Sequence, residues 1–232
     1  MTSELIKKIK QFESPPKIVK ILSEKEIKSL IDLYSSLPLT TFNKKQNVVK
    51  KRWLQGYNKI LESLYKSKLK DILGPFKMDN LQSEKGDDFL GLFQESFAPL
   101  DIHVDTGFAD NNIIFKQLVT PLSPIGGTVI FSNRWYGRST TFTIDDEELK
   151  FKPELGQNDR SSKHLGSQDF DKEVHKKYLS HLDINNLKGL KIDFIYEWKV
   201  GETLIIDRSH IHCASSYVGD KKLGLTTFTK KE

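Results

Sequence analysis

The segment LDIHVDTGF (100–108) sets His103 and Asp105 two residues apart. In an extended strand, side chains two apart share a face, so this spacing aims an imidazole and a carboxylate at one point. Far along the chain, DRSHIHCASSY (207–217) adds two more histidines, His210 and His212. Two imidazole nitrogens and one carboxylate oxygen on one face of an octahedral ion suit non-haem Fe(II) and leave positions open for other molecules. An H-x-D triplet alone is weak, because a buried histidine is more often a hydrogen-bonded core residue. The distant histidine gives the triplet its weight. Alternation cannot choose between His210 and His212, since residues two apart share a face.

Such ligands need strands to hold them. From about residue 87 the chain breaks into short β-rich runs: DFLGLFQESF, LDIHVDTGF, IIFKQLVTPL, GGTVIFSN, STTFTI, KIDFIYEWKV, GETLIIDRSHIHCA and KLGLTTFT. Turn formers separate them, among them Ala98-Pro99, Pro124 to Gly127, and Gly219-Asp220. The series predicts a mainly β, closed or sandwiched body of jelly-roll type. One polar stretch (150–190) interrupts it, its first half reading as a loop and its second as a helix around 170–182.

The N-terminal part reads differently. KIVKIL (17–22) alternates as a short strand, and Ser23 with Glu26 has capping-box spacing for a helix ending before Pro38. In residues 47–74, Trp53, Tyr57, Ile60, Leu61, Leu64 and Leu69 recur at helical spacing, which predicts one helix stopped by Gly74-Pro75. The expectation is one domain over 1–232, with 1–86 as helical support and 87–232 as the jelly-roll core.

Composition sets limits. The net charge is +5, yet residues 1–75 carry 16 basic against 7 acidic side chains, and the rest 20 against 24. Without zinc-finger spacing, RGG tracts or basic runs interleaved with aromatics, the lysine-rich third reads as solvated helix faces rather than a nucleic-acid site. No apolar run reaches spanning length. The first residues lack the apolar stretch of a secretory signal. A single cysteine, Cys213, excludes an intramolecular disulfide and suits a reducing interior, so a cytoplasmic location is expected.

Taken in order, HVD (103–105), the Gly-Gly run PIGGTVIF (124–131), GETLIIDRSHIH (201–212) and GDKKLGL (219–225) resemble the iron(II)- and 2-oxoglutarate-dependent oxygenases. The resemblance covers roughly residues 88–230. It implies a double-stranded β-helix with flanking N-terminal helices, Fe(II) as metal, and 2-oxoglutarate and dioxygen as cosubstrates. It also implies hydroxylation of a C–H bond in a small molecule or peptide side chain, with release of succinate and CO2. Family spacing from Gly201 and to the cation selects His212 as third metal ligand, leaving His210 as a packed neighbour and Cys213 turned away without chemistry. The cation for the distal 2-oxoglutarate carboxylate would be Lys222, a departure from the more frequent arginine, with Lys221 the alternative. Gln117 and Gln94 are candidates for further contact with the cosubstrate. The retained Asp105 argues against a halogenating variant.

Candidate substrate contacts are Asn111, Asn112, Arg134, Trp135, Tyr136, Arg138 and Arg208, and residues 150–175 could act as a lid. Two other readings stand beside this one. A cupin-like enzyme would use the same three ligands without 2-oxoglutarate and would have no need of a buried cation at Lys222. A non-catalytic β-barrel binding protein would keep the histidines as structure only.

Overall fold

The computed structural model describes residues 2–39, 41–43, 47–79, 89–105, 113–136, 167–219 and 221–231. The order of elements is α1 (Ser3–Lys10), β1 (Lys17–Val19), α2 (Glu24–Ser36), β2 (Thr41–Asn43), β3 (Val48–Leu54), α3 (Lys59–Leu73), β4 (Lys77–Met78), β5 (Phe89–Ser96), β6 (Ile113–Pro121) and β7 (Gly127–Arg134). Then follow α4 (Lys172–Tyr178), a 3-10 turn (Ile184–Leu187), β8 (Ile192–Glu197), β9 (Thr203–Asp207), β10 (His210–Ala214) and β11 (Lys222–Lys231).

Two antiparallel sheets face each other. The large one runs β1-β9-β6-β11-β5-β3-β2, with β4 also paired to β11, and the small one runs β10-β7-β8 among the described residues. His103 extends the small sheet beyond β10 by a reciprocal pair of 2.9 Å backbone hydrogen bonds with His212. This is the mainly β jelly roll that the alternating runs imply. Strands from the N-terminal part join the large sheet, β1 at one edge and β2–β3 at the other. Helices α2 and α3 cover the outside of that sheet through Leu30, Leu33, Leu61, Tyr65 and Leu69, which pack with Trp53, Phe93 and Leu225.

The local signals explain most elements. The Ser23 capping box opens α2, with the Ser23 N–H donating to Glu26 and the Glu26 N–H to Ser23 Oγ. Residues 47–74, however, are not one helix. Val48–Leu54 is a seven-residue strand, the chain turns at Gly56 (φ 84°), and Asn58 caps α3 by accepting from the Leu61 N–H. The spacing misled because Trp53 is buried from a strand, against Tyr65 at 5.4 Å between ring centroids, while Ile60 is 86 % exposed. The β-branched Val48 and Val49 fit a strand paired on both sides, by β2 and β5, and that pairing outweighs helical periodicity.

Two further runs divide differently from expectation. GETLIIDRSHIHCA is two strands, not one: β9 pairs with β6 in the large sheet, and β10 pairs with β7 in the small one. Arg208 and Ser209 form the corner where the chain changes sheets, as the closing of a sandwich requires. A register irregularity between His210 and His212 then breaks the alternation that would have put both on one face. In HVD, only His103 joins a ladder. The helix expected around 170–182 is the shorter α4. The run STTFTI, the positions Asn111, Asn112 and Arg138, and most of the expected lid lie outside the described residues.

Candidate metal centre

The inner face of the large sheet and the small sheet enclose a cavity of about 300 Å³. Register places the wall. Lys50 of β3 lies opposite Gln94 of β5, Gln94 opposite Gly224 of β11, Lys222 opposite Ser96, and Phe228 opposite Gln117 of β6. All of these residues line the cavity, as side chains spaced by two along a strand should. The other wall carries His103, Asp105, His212, Thr128 and Trp198.

His103, Asp105 and His212 converge there, with one donor atom from each within 4.8 Å of the others. The His212 Nε2 lies 3.3 Å from Asp105 Oδ2, and the His103 Nε2 lies 3.8 Å from the same oxygen. Main-chain carbonyls set both tautomers. His103 Nδ1 is 2.7 Å from the Asp101 carbonyl, and His212 Nδ1 is 3.0 Å from the His210 carbonyl. A carbonyl only accepts, so each Nδ1 carries the proton, and in a neutral ring Nε2 presents its lone pair inward. Burial, with the nearby charge of His212, holds His103 down at about 4, so this ring is neutral at pH 7. Burial alone would raise the Asp105 carboxyl. The neighbouring His212 imidazole and the Arg208 guanidinium behind it outweigh this and hold the group well below the usual carboxylate range. With each Nδ1 turned to a carbonyl, both Nε2 atoms and the Asp105 carboxylate converge on one point, where they can share a cation. The donor set therefore fits a divalent metal with mixed nitrogen and oxygen preference.

His210 takes no part in this convergence. Its Nδ1 accepts from the Asp207 N–H at 3.1 Å, and its Nε2 lies 3.7 Å from Asp193. Burial pushes its pKa down to about 3. Cys213 packs with Val129 and Ile211 while forming part of the cavity wall, and burial pushes its thiol far up, so it stays protonated.

Lys222 projects into the cavity from the first position of β11. It is buried, donates to the Gly127 carbonyl at 2.5 Å, and lies 3.9 Å from the centroid of the Trp198 ring. It has no acidic partner among the described residues, and burial pushes its ammonium down to about 7. Lys221 instead faces outward, 60 % exposed, and pairs with Glu95 at 2.8 Å. The close packing behind Lys222 explains two glycines. A Cβ on Gly127 would sit 2.5 Å from the Tyr196 carbonyl, and one on Gly224 would sit 2.6 Å from the Trp198 ring. Gln117 also lines the cavity, and its buried Oε1 has no hydrogen-bond partner among the described residues. Gln94 reaches Ser96 Oγ at 3.3 Å.

Two of the arginines expected to touch substrate, Arg134 and Arg208, are held in ion pairs. Arg134 is 2.6 Å from Asp207, a carboxylate it shares with Lys116, and does not line the cavity. Arg208 is fully buried behind the centre, pairing with Asp79 at 2.5 Å and donating to the Asp105 carbonyl at 2.8 Å. Trp135 packs against the apolar cluster under α4, and Tyr136 donates to Glu13. Sequence reasoning missed Lys50, hidden inside the misread helix. It also missed Trp198 and Thr128, whose hydrogen bond (Nε1 to Oγ1, 2.9 Å) fixes the ring over Lys222.

No protein-family model and no curated protein sequence matches the chain. Solved structures do match. An oxidoreductase of the 2OG-Fe(II) oxygenase family from Burkholderia pseudomallei aligns over 98 % of this chain and 90 % of its own, with TM-score 0.51 and 8 % identity. A viral collagen prolyl hydroxylase from Paramecium Bursaria Chlorella virus-1, solved with 2-oxoglutarate, aligns over 94 % and 97 % (TM-score 0.51, 10 % identity). The epimerase SnoN, in complex with Fe3+, alpha ketoglutarate and nogalamycin RO, aligns over 99 % and 84 % (TM-score 0.55, 9 % identity). The likeness establishes a class of fold, the jelly roll of iron(II)- and 2-oxoglutarate-dependent oxygenases. At such identity it carries no particular reaction, and the three neighbours do not share one.

Proposed function

We propose that this protein is an Fe(II)- and 2-oxoglutarate-dependent oxygenase that hydroxylates a C–H bond of a small molecule or peptide side chain. The observation that carries the reading is Lys222, a buried ammonium without an acidic partner among the described residues, in the same cavity as a His-Asp-His cluster. A buried cation of this kind is costly until an anion meets it, and the distal carboxylate of 2-oxoglutarate is such an anion. A cupin-like enzyme working without 2-oxoglutarate leaves Lys222 unexplained. So does a binding protein with structural histidines.

His103, Asp105 and His212 would hold the iron, and Lys222 the far carboxylate of 2-oxoglutarate, with Gln117 Oε1 available to accept a hydrogen bond inside the cavity. Together with dioxygen, iron and 2-oxoglutarate supply the oxidising power that puts one oxygen atom into a substrate C–H bond and the other into succinate, with loss of CO2. The chain's own part is orientation and exclusion of water. The carbonyls of Asp101 and His210 keep both imidazoles in the metal-binding tautomer, and Trp198 with Thr128 fixes the ammonium of Lys222.

Anaerobic titration of Fe(II) and 2-oxoglutarate into the apoprotein tests this through the visible charge-transfer band of their chelate. Wild type and His210→Ala should show the band, His212→Ala should lose it, and Lys222→Ala should need more 2-oxoglutarate to reach it. Metal binding without a band would move the assignment to the cupin-like enzyme, and no metal binding would leave only a structural role for the histidines.

A further inference from the structure

Lys50 is the second cation in the cavity, and the proposed cosubstrate leaves it without a counter-charge. It projects from β3 onto the inner face of the large sheet, and β5 separates it from the strand that carries Lys222. Beyond the backbone pairing of β3, the Lys50 ammonium meets no hydrogen-bond acceptor or carboxylate at bonding distance among the described residues. Burial pulls its pKa down from the usual lysine value, the cost of a cation in this wall that lacks a partner, and the Asp105 carboxylate is close enough to oppose that fall. Its neighbour across the ladder, Gln94, adds amide hydrogen-bonding capacity on the same face.

The charges that line the site are few. Among the described residues, Asp105 is the acidic side chain on the cavity wall, and Lys50 and Lys222 are the basic ones. A divalent iron, one aspartate, two lysines and a dianionic 2-oxoglutarate leave one positive charge over, and that charge sits at Lys50. The cavity is small, about 300 Å³ including the room the cosubstrate needs, at the lower end for ligand sites. A compact group carrying one negative charge satisfies both limits.

Building on the oxygenase reading, we propose that the substrate carries a carboxylate that Lys50 binds beside the metal centre, with Gln94 as its neighbour. This carboxylate orients the substrate so that a carbon a short distance along its skeleton faces the iron. The enzyme is thus selective for small monocarboxylic acids over their neutral counterparts. Lys50 acts as a specificity-determining residue, since the ammonium meets the carboxylate away from the bond that reacts.

The test uses the Fe(II)-loaded protein with 2-oxoglutarate in air and follows succinate formation. Straight-chain and aromatic monocarboxylates, from propionate to phenylpropionate, are added singly, each beside its carboxamide. The expected result is that one or more acids accelerate succinate formation and their amides do not. Lys50→Ala should then need about 10- to 100-fold more acid for the same acceleration, the loss expected for a charge-assisted hydrogen bond, and Lys50→Arg should recover most of it. The anaerobic chelate band separates this proposal from the reading beneath it. If wild type lacks the band, the oxygenase assignment itself fails. With the band present in wild type and Lys50→Ala, three results overturn the proposal: amides accelerating as well as acids, Lys50→Ala responding like wild type, or no acid accelerating turnover.

Discussion

Removing Arg208 separates what holds the fold together from what holds the metal centre together. Its guanidinium has no exposed surface and divides its donors among the Asp79 carboxylate (2.5 Å), the Thr229 carbonyl (3.1 Å) and the Asp105 carbonyl (2.8 Å). Arg208→Met keeps an apolar stem but strands Asp79, which is buried. Removing one partner of a buried pair costs about 3–5 kcal/mol. Lys230, 3.9 Å from Asp79, offsets some of this, so the lower end, about 3 kcal/mol, is expected. In Arg208→Met/Asp79→Leu the stranded charge is gone, and stability should return to within about 1 kcal/mol of wild type, as when a buried pair is replaced by well-packed apolar groups. Neither variant gives the Asp105 carbonyl its donor back. Loss of such an outer support typically weakens a metal site about 10- to 100-fold, and both variants should show that loss. Urea unfolding followed by tryptophan fluorescence measures the first quantity, and anaerobic Fe(II) titration the second. A double variant that is as stable as wild type and also binds Fe(II) as tightly would refute the idea that Arg208 positions Asp105. A single variant losing under 1 kcal/mol would refute the buried-pair argument.

Lys222 has a pH signature. Burial lowers its folded-state pKa from 10.5 to about 7, so between those values the unfolded chain binds more protons, and the stability of the apoprotein should rise with pH across that window in a series of urea melts. Binding of 2-oxoglutarate needs the ammonium, so its Kd should weaken above about pH 7 by up to about tenfold per pH unit, and Lys222→Met should flatten the profile. Gly224→Ala would drive a methyl group to 2.6 Å from the Trp198 ring. It should cost about 1–3 kcal/mol in unfolding experiments and raise the 2-oxoglutarate concentration needed for the chelate band, because that ring lies against Lys222. Ser23→Ala, which removes the α2 cap on the outer surface, should cost about 1 kcal/mol in melts and leave the band unchanged.

The sequence by itself determined the elements whose cause is local. Ser23 and Glu26 mark the start of α2 because capping is settled within one turn, and the period-two runs after residue 87 mark a β body because alternation is a property of each strand. The H-x-D pair and one of two distant histidines were legible as metal-ligand types for the same reason. Three matters were decided only by tertiary structure. Residues 48–54 have apolar positions that fit a helix as well as a strand, and the choice fell to β5, whose edge they pair with. That choice carries Lys50 from an apparent solvated helix face onto the wall of the cavity. The corner at Arg208-Ser209 sends β9 and β10 to different sheets and places Arg208 behind the His-Asp-His cluster, and the register irregularity inside β10 separates His210 from His212. Lys222 and Lys221 are chemically alike and adjacent. Only the pairing of β11 turns one inward over Trp198 and the other out to Glu95, because burial depends on what lies across the sheet.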